Sequence, residues 1–515
     1  MQMKKIMNYR PILYFALSLI LGVALATYIF IAPKLKLILF FIFLYVAAIM
    51  LILRVTLKIK IFTLFTVCFI LIAIPFMQLY IKSNKLNDNL IYSNDRVFIE
   101  GRLSENYKFT TSGNLALILD DVSVLDGETK NKIDGNIVVY TSPSNMTLSE
   151  LKVGRYLNIN MKLNFCTLSK DLTDSIYNLT NGNIATGYAE FYNIDFLNKY
   201  AIDFNDEVRQ HVYETIDSSG AKYTEVGYGM LFGDTTVIST DVKTIFQSTG
   251  IAHLLAVSGL HVSIILFIIS ASFKRLRNPI KPKIVLVTLT LAVYCYLCDF
   301  SVSVMRASLM AVAMAYSEVR ALPYDNLNIL SLIVIIYLLM NPLTLFDISF
   351  VLSFTSVLAI ILLSTLFERI FGKYFYDKVS TALAINMSVQ IGLIATNLFY
   401  FGKIQLLGVI CNFIAVPIAT AAFSILLITF VFTPLFPFLN FGYNIFGFLM
   451  DLVVKFSYYI SKIDITFTAG GVSILFVIIM FAFMFVFSDY VFVSRKKKAG
   501  ICGTLILIGG LLLFL

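Results

Sequence analysis

The sequence predicts a polytopic α-helical membrane protein of about 10 to 13 transmembrane helices carrying one small all-β, OB-like domain on the extracytoplasmic side. Three observations predict it. Hydrophobic residues make up 58% of the 515 and charged residues only 14%, with a mean hydropathy of +0.84, well beyond the apolar content of a soluble domain. Apolar runs near the roughly 20 residues that span a hydrocarbon core recur from residue 11 to the last residue. They are interrupted once, by a polar stretch of about a hundred residues with strand-like alternation.

Residues 1–85 read as a three-helix membrane anchor built on the runs 11–32, 37–53 and 61–81. The first run is too long for a removable signal peptide and lacks a small-residue cleavage site, so it is expected to be retained. Lys4, Lys5 and Arg10 precede it, and Arg54, Lys58 and Lys60 follow the second run. Short basic flanks stay inside, which places the N-terminus in the cytoplasm and the next domain outside.

Residues 90–196 hold that outer domain. The runs "RVFIEGRL", "NLALILDDVSVL", "GNIVVYT", "RYLNINMKL" and "GNIATGYAEF" are separated by Gly, Asn, Asp, Pro and Ser. Five such strands are enough for a compact barrel, with an OB-fold one candidate topology among several. Between residues 92 and 196 there are 9 basic and 13 acidic residues, against a whole-chain charge of +9. The positive excess therefore lies in the membrane part, as orientation requires, and argues against tight nucleic-acid binding by the β domain alone. Tyr107, Phe109, Tyr140, Tyr156 and Phe165 are aromatics there, with core packing the expected fate of most.

Residues 197–250 form a helical segment of mixed polarity. "FLNKYAIDFNDEVRQHVYETI" spaces apolar positions three and four apart, as in an amphipathic helix on a membrane surface. Residues 251–495 read as a helical channel bundle and 496–515 as a last transmembrane helix. "KRLRNPIKPK" at 274–283, with five basic residues and no acid, and "RKKK" at 495–498 both read as cytoplasmic. Of the six cysteines only Cys166 lies in a polar segment, and no disulfide framework is evident. Cys295 and Cys298 give a CxxC spacing inside an apolar run, where small apolar filler is the ordinary reading.

Polar groups in hydrocarbon are costly and need a partner, a cavity or a task. Asp299, Arg306, Asp347, Asn386, Gln390 and Asn412 are such groups. Arg306 offers a fixed positive charge to an anion such as phosphate. Asp299, seven residues earlier, offers it a structural ion pair if their helix is continuous. Asn386 and Gln390 share one helix face, as path lining or as interhelical glue.

"IAHLLAVSGLHVSII", residues 251–265, holds two of the three histidines in the chain, the third being His211. Ser258 and His261 are three apart, so a Ser/His hydrolase is one reading, weakened by the absence of an orienting third group or a GxSxG turn. A metal site lacks ligands. The remaining reading is a packing and hydrogen-bonding node with Gly259 permitting close approach.

Together with "FSVSVMRASLMA", "NPLTLFDISFVLSF" and "FYFGKIQLLGVICNFIAVP", the block "AHLLAVSGLHV" resembles the ComEC family of competence proteins, in family order over roughly residues 220–435. The resemblance implies a channel passing single-stranded DNA into the cytoplasm, with Asp234, His253, Ser258, Gly259, His261, Ser303, Arg306, Asp347, Ser353 and Asn412 as the matching polar positions. "SFVLSF" departs from the family's Gly-Phe-Gln-Leu-Ser-Phe, with Ser349 and Val351 replacing Gly and Gln. Many relatives end in a metallo-β-lactamase-like region. This sequence ends in "LILIGGLLLFL", and its histidines cannot build a two-metal hydrolase.

The expectation is therefore a DNA-uptake channel that is not itself an enzyme and uses no cofactor or metal. No GxxxxGK[ST] phosphate loop occurs, so the driving force comes from elsewhere. Besides membrane lipids, the family implies a separate DNA receptor, a nuclease and a cytoplasmic helicase-like motor. An intramembrane Ser/His hydrolase using Ser258, and a transporter of another polyanion or a lipid, are the competing readings.

Overall fold

The structure, a computed structural model, describes residues 10–28, 33–58, 61–92, 96–105, 107–110, 113–126, 129–143, 151–166, 172–201, 203–273, 280–463, 465–491 and 494–514. Most of the basic loop 274–283 and the lysines at 4 and 5 lie outside the described residues. The chain divides into two compact units, one formed by residues 11–208 and 331–347, the other by 1–10, 209–330 and 348–515.

The first unit opens with α1 (Pro11–Tyr28), α2 (Pro33–Leu57) and α3 (Ile61–Asp88). Gly22 lets α1 lie directly on α3: a Cβ there would stand 2.6 Å from the Ile72 carbonyl oxygen. From α3 the chain passes through a 3₁₀ turn, Asn89–Tyr92, into the β domain. Its strands are β1 (Arg96–Leu103), β2 (Lys108–Phe109), β3 (Leu115–Asp126), β4 (Thr129–Lys132), β5 (Asn136–Thr141), β6 (Arg155–Phe165), β7 (Asn183–Tyr188) and β8 (Ile194–Tyr200), with α4 (Leu172–Thr180) between β6 and β7.

Five of them close on themselves in the order β1-β3-β5-β7-β6-β1, with β5 and β7 parallel and the other pairs antiparallel. These are the five runs read from the sequence. Period-two patterning explains the closure. On β6, Leu157, Ile159, Met161, Leu163 and Phe165 point inward and are buried, while Asn158, Asn160, Lys162 and Asn164 between them are not. The barrel core continues into Ile72, Phe76 and Leu79 of α3 and Ala26 of α1. Residues 197–200, expected to be helical, are strand instead. β8 pairs with β6 through Leu157↔Phe196 and Arg155↔Tyr200, and its ring side chains cover Arg155 at 4.8 Å (Phe196) and 5.6 Å (Tyr200).

The barrel's charges are largely cancelled in place. Arg102 forks onto Asp120 at 2.8 and 2.6 Å and reaches Asp203 at 3.0 Å, which holds its guanidinium well above its ordinary pKa. Glu100 accepts from Lys130 (2.5 Å) and Lys199 (3.0 Å), the first being the larger cause of its lowered pKa. Asp121 accepts from Lys132 and Tyr156 and is lowered likewise. Of the aromatics singled out in the sequence, Tyr156 and Phe165 are buried and Tyr107 packs on the core; the Phe109 side chain lies outside the described residues. Phe98, Tyr188, Tyr192 and Tyr200 are exposed.

The second unit is helical: α5 (Phe204–Asp217), α6 (Thr224–Phe232), α7 (Thr240–Ser248), α8 (Gly259–Phe273), α9 (Ile280–Leu297), α10 (Val302–Arg320), α11 (Asn326–Met340), α12 (Ile348–Phe371), α13 (Asp377–Phe401), α14 (Gly408–Phe432), α15 (Phe441–Ser461), α16 (Ile474–Phe487) and α17 (Arg495–Phe514). The first residues of α5 and those of α11 from Ser331 onward group with the first unit. A two-stranded ribbon, β9 (Lys403–Gln405) with β10 (Thr466–Thr468), ties the start of α14 to the end of α15. Small residues set the closest helix contacts. A Cβ on Gly392 would lie 2.3 Å from that of Ala359, which is how α12 and α13 meet.

By length and composition, seven helices among the described residues are long and apolar enough to cross a membrane: α2, α3, α10, α12, α13, α14 and α15, the last with its preceding turn. Five apolar helices among the described residues are shorter, in α1, α8, α9, α11 and α16. The architecture is thus multi-span and helical, consistent with a membrane protein, with one closed five-stranded barrel. Irregular breaks divide the second unit more finely than hydropathy alone indicates.

Candidate functional site

The segment between α7 and α8 is where the sequence placed its polar cluster, and its backbone is largely non-helical. Gly250 adopts φ +74°, with a Cβ there 3.3 Å from Gln405 Cβ and 3.4 Å from Gly408 Cα, so only glycine fits both the turn and the contact. A 3₁₀ turn, Ala252–Leu254, comes next, and His253 on it is exposed. Then Ser258 caps α8. Its Oγ accepts from Leu260 N at 3.3 Å, while Nδ1 of His261 accepts from Ser258 N at 2.9 Å. This is a reciprocal capping box with an imidazole in the position usually held by Glu or Gln.

That arrangement decides what the Ser/His pair can do. Because Nδ1 takes a backbone N–H, the neutral ring carries its proton on Nε2. The lone pair a nucleophilic serine would need is engaged, and Ser258 Oγ stands 3.4 Å from Nδ1. Nε2 is buried without a hydrogen-bond partner among the described residues, and the ring lies 4.2 Å from that of Phe423 on α14. The segment's geometry is that of a helix cap.

Arg306 stands beside this cap. It is 6% exposed on α10, donates through Nη1 to the carbonyl of Ser353 on α12, and lies 5.9 Å from the Phe354 ring. Its Nη2 is 3.3 Å from the position a Cβ on Gly259 would take, so glycine at the first residue of α8 makes room for the guanidinium. Ser303 and Ser353 join α10 to α12 through their hydroxyls at 3.0 Å. Six of the predicted residues thus converge: Ser258, Gly259, His261, Ser303, Arg306 and Ser353.

The alternative partner for Arg306 is not Asp299. The helix breaks between them, with Asp299 and Phe300 at φ 48° and 50°, and Asp299 pairs instead with Arg209 of α5 at 2.6 Å. Arg209 was missed in the sequence because one arginine in an amphipathic helix reads as part of a solvated face.

The other predicted positions fall elsewhere. Asn386 donates to the Val409 carbonyl at 2.8 Å, and the Gln390 amide nitrogen lies 3.4 Å from a Cβ built on Gly408, so both face the start of α14. Asn412, one turn on, has its Oδ1 buried without a partner among the described residues. Asp234 closes a turn by accepting from Thr236 N at 2.8 Å and Oγ1 at 2.5 Å. Burial draws nearby Lys243 below its ordinary pKa, with Asp234 acting in the opposite sense. Asp347 ends the 3₁₀ turn Pro342–Phe346 in the first unit. Cys295 and Cys298 are buried thiols bonded to Ser308 Oγ and the Leu231 carbonyl, and all six cysteines are free. Among the described residues, no three His, Cys, Asp or Glu side chains cluster in a way that could hold a metal.

Comparison with known proteins bears on this unit. The family described as Competence protein matches residues 230–490, from the end of α6 past α16. The chain is similar to "ComE operon protein 3" of Bacillus subtilis, 27% identical over 44% of this chain, and to "Recombination protein 2" of Haemophilus influenzae, 29% identical over 40%. Each match spans 28% of the relative's own length. No solved structure matches. With the convergent polar residues inside the matched region and that region covering half the chain, the protein belongs to the competence protein family.

Proposed function

We propose that this protein is a membrane channel that passes one strand of DNA into the cytoplasm. The observation that carries the reading is the location of a buried, permanently charged arginine, Arg306, one turn into α10 and against Gly259 at the start of α8, inside the region matched by the competence family. A guanidinium in a bundle interior is costly, and such residues pair with backbone carbonyls, as Arg306 does with Ser353, or mark the path of an anion. Over the described residues α8 runs for 15, about 22 Å, against a hydrocarbon core of about 30 Å. On this reading its capped N-terminus and the irregular segment before it lie within the membrane's thickness, where non-helical backbone is tolerated only inside protein or along a wet cavity.

In this reading the seven long apolar helices and the shorter ones supply about 10 to 13 spans in total. The N-terminus is cytoplasmic and the barrel faces outward, making weak guiding contacts with the strand. The protein is not an enzyme and needs no cofactor. Strand degradation, DNA capture and the motor belong to separate proteins. Uptake of labelled DNA by a deletion strain tests the reading: uptake should be lost and restored by the full chain, and unimpaired uptake would overturn it. If Ser258→Ala abolishes a hydrolytic turnover in membranes, the hydrolase alternative replaces it.

A further inference from the structure

The corner between α9 and α10 has an unusual construction. α9 ends at Leu297, and the chain reverses through two adjacent non-glycine residues in the left-handed region, Asp299 and Phe300, a conformation that L side chains avoid. Backbone bonds hold part of the turn: Phe300 N donates to Cys295 O at 2.8 Å and Ser301 N to Cys298 O at 3.0 Å. The carbonyl of Leu297, at the helix end where no intrahelical donor exists, is taken by a side chain from another helix. Arg209 of α5 donates to it through Nε at 2.9 Å and Nη2 at 2.5 Å, and its Nη1 pairs with Asp299 at 2.6 Å. The guanidinium is thereby fully engaged by this turn.

The buried arginine lies immediately beyond the corner. α10 starts at Val302, and Arg306 is about one turn into it, with no flexible residue between the corner and the charge. Arg306 has little room to move, since the Ser353 carbonyl holds one side and Gly259 lies against the other. Any rotation of α10 at its start is carried straight to these contacts.

Resting on the channel reading, we infer that Arg209 is the positioning residue for Arg306: it clamps the α9–α10 corner and so sets where the buried guanidinium stands. The Asp299 side chain is 65% exposed, so the ion pair is the lesser part of the clamp and the two hydrogen bonds to the Leu297 carbonyl the greater. Lysine keeps the charge and cannot reproduce the fork. The expected order of damage is therefore Arg209→Met, then Arg209→Lys, then Asp299→Asn.

The full-length protein in membranes tests this with a reporter independent of DNA. Ser303→Cys with Ser353→Cys, in a background without native cysteines, reads the α10–α12 register through disulfide formation, since the two hydroxyls stand 3.0 Å apart. In the native-cysteine background, protection of Cys411, fully buried on α14, reports that the bundle is folded. Arg209→Met should lose the cross-link several-fold while Cys411 stays protected, with Arg209→Lys between it and Asp299→Asn, and DNA uptake should fall in the same order. A cross-link retained in a protected Arg209→Met protein overturns the clamp. If Arg209→Met exposes Cys411, Arg209→Lys decides: loss of cross-link supports the clamp and retention overturns it. Cross-link loss with undiminished uptake supports the clamp and overturns the role given to Arg306.

Discussion

At the scale of single residues, Ser258 and His261 show how a pair that suggests catalysis can be committed to local structure. Each satisfies a backbone donor at the start of α8, leaving no free base for the hydroxyl. Ser258→Ala should cost about 1 kcal/mol of stability, the usual effect of a lost N-cap, with uptake largely kept. A thermal shift beside a DNA-uptake assay checks both. Arg306→Gln should reduce strand passage in a folded protein, because Gln keeps a donor for the Ser353 carbonyl and loses the charge. Undiminished passage would assign Arg306 to packing. Gly259→Ala should lower passage for a different reason, since the new methyl would press on Arg306 Nη2 at 3.3 Å.

At the scale of elements, the irregular segment between α7 and α8 depends on Gly250. Gly250→Ala places a side chain in the left-handed region, at about 1–2 kcal/mol, and against Gly408, so the expected outcome is lower thermal stability. The barrel responds to pH through its carboxylates. Glu100 and Asp121 are held below the usual carboxylate pKa by lysine partners, so their stabilisation is present at neutral pH and is lost as pH falls through those lowered values. Amide hydrogen exchange in β1 and β3 of the intact chain should accelerate below about pH 4 and, once corrected for its intrinsic pH dependence, show unchanged protection between about pH 6 and 8. The opposite trend would contradict these ion pairs.

For the whole molecule, the first unit joins barrel and anchor into one core, as Phe76 and Leu79 of α3 belong to the same connected buried cluster as the inward residues of β1 and β6. The sequence shows an abrupt polarity change near residue 90 and so suggests a boundary there, but the apolar interior runs across it. The five barrel strands were legible because each alternates with a period of two over a run long enough to cross the barrel. Residues 197–200 depart from the helical expectation because three- and four-residue spacing also occurs by chance in a short strand, and only the pairing with β6 distinguishes the two. Of the site, the identity of Arg306, Gly259, Ser303 and Ser353 was visible, whereas their partners were not. Asp299 is near Arg306 in sequence and Arg209 is far, yet the left-handed turn gives Asp299 to Arg209.

By itself the sequence determined the membrane class, the five barrel strands and the family resemblance, because hydropathy, period and motif order are properties of the chain read in line. Only the tertiary structure decided that the barrel closes, that His261 caps a helix, and that Arg306 reaches the Ser353 carbonyl past Gly259. Those outcomes depend on which groups from distant segments meet, and a buried donor or charge takes the nearest acceptor in space, which linear order does not encode.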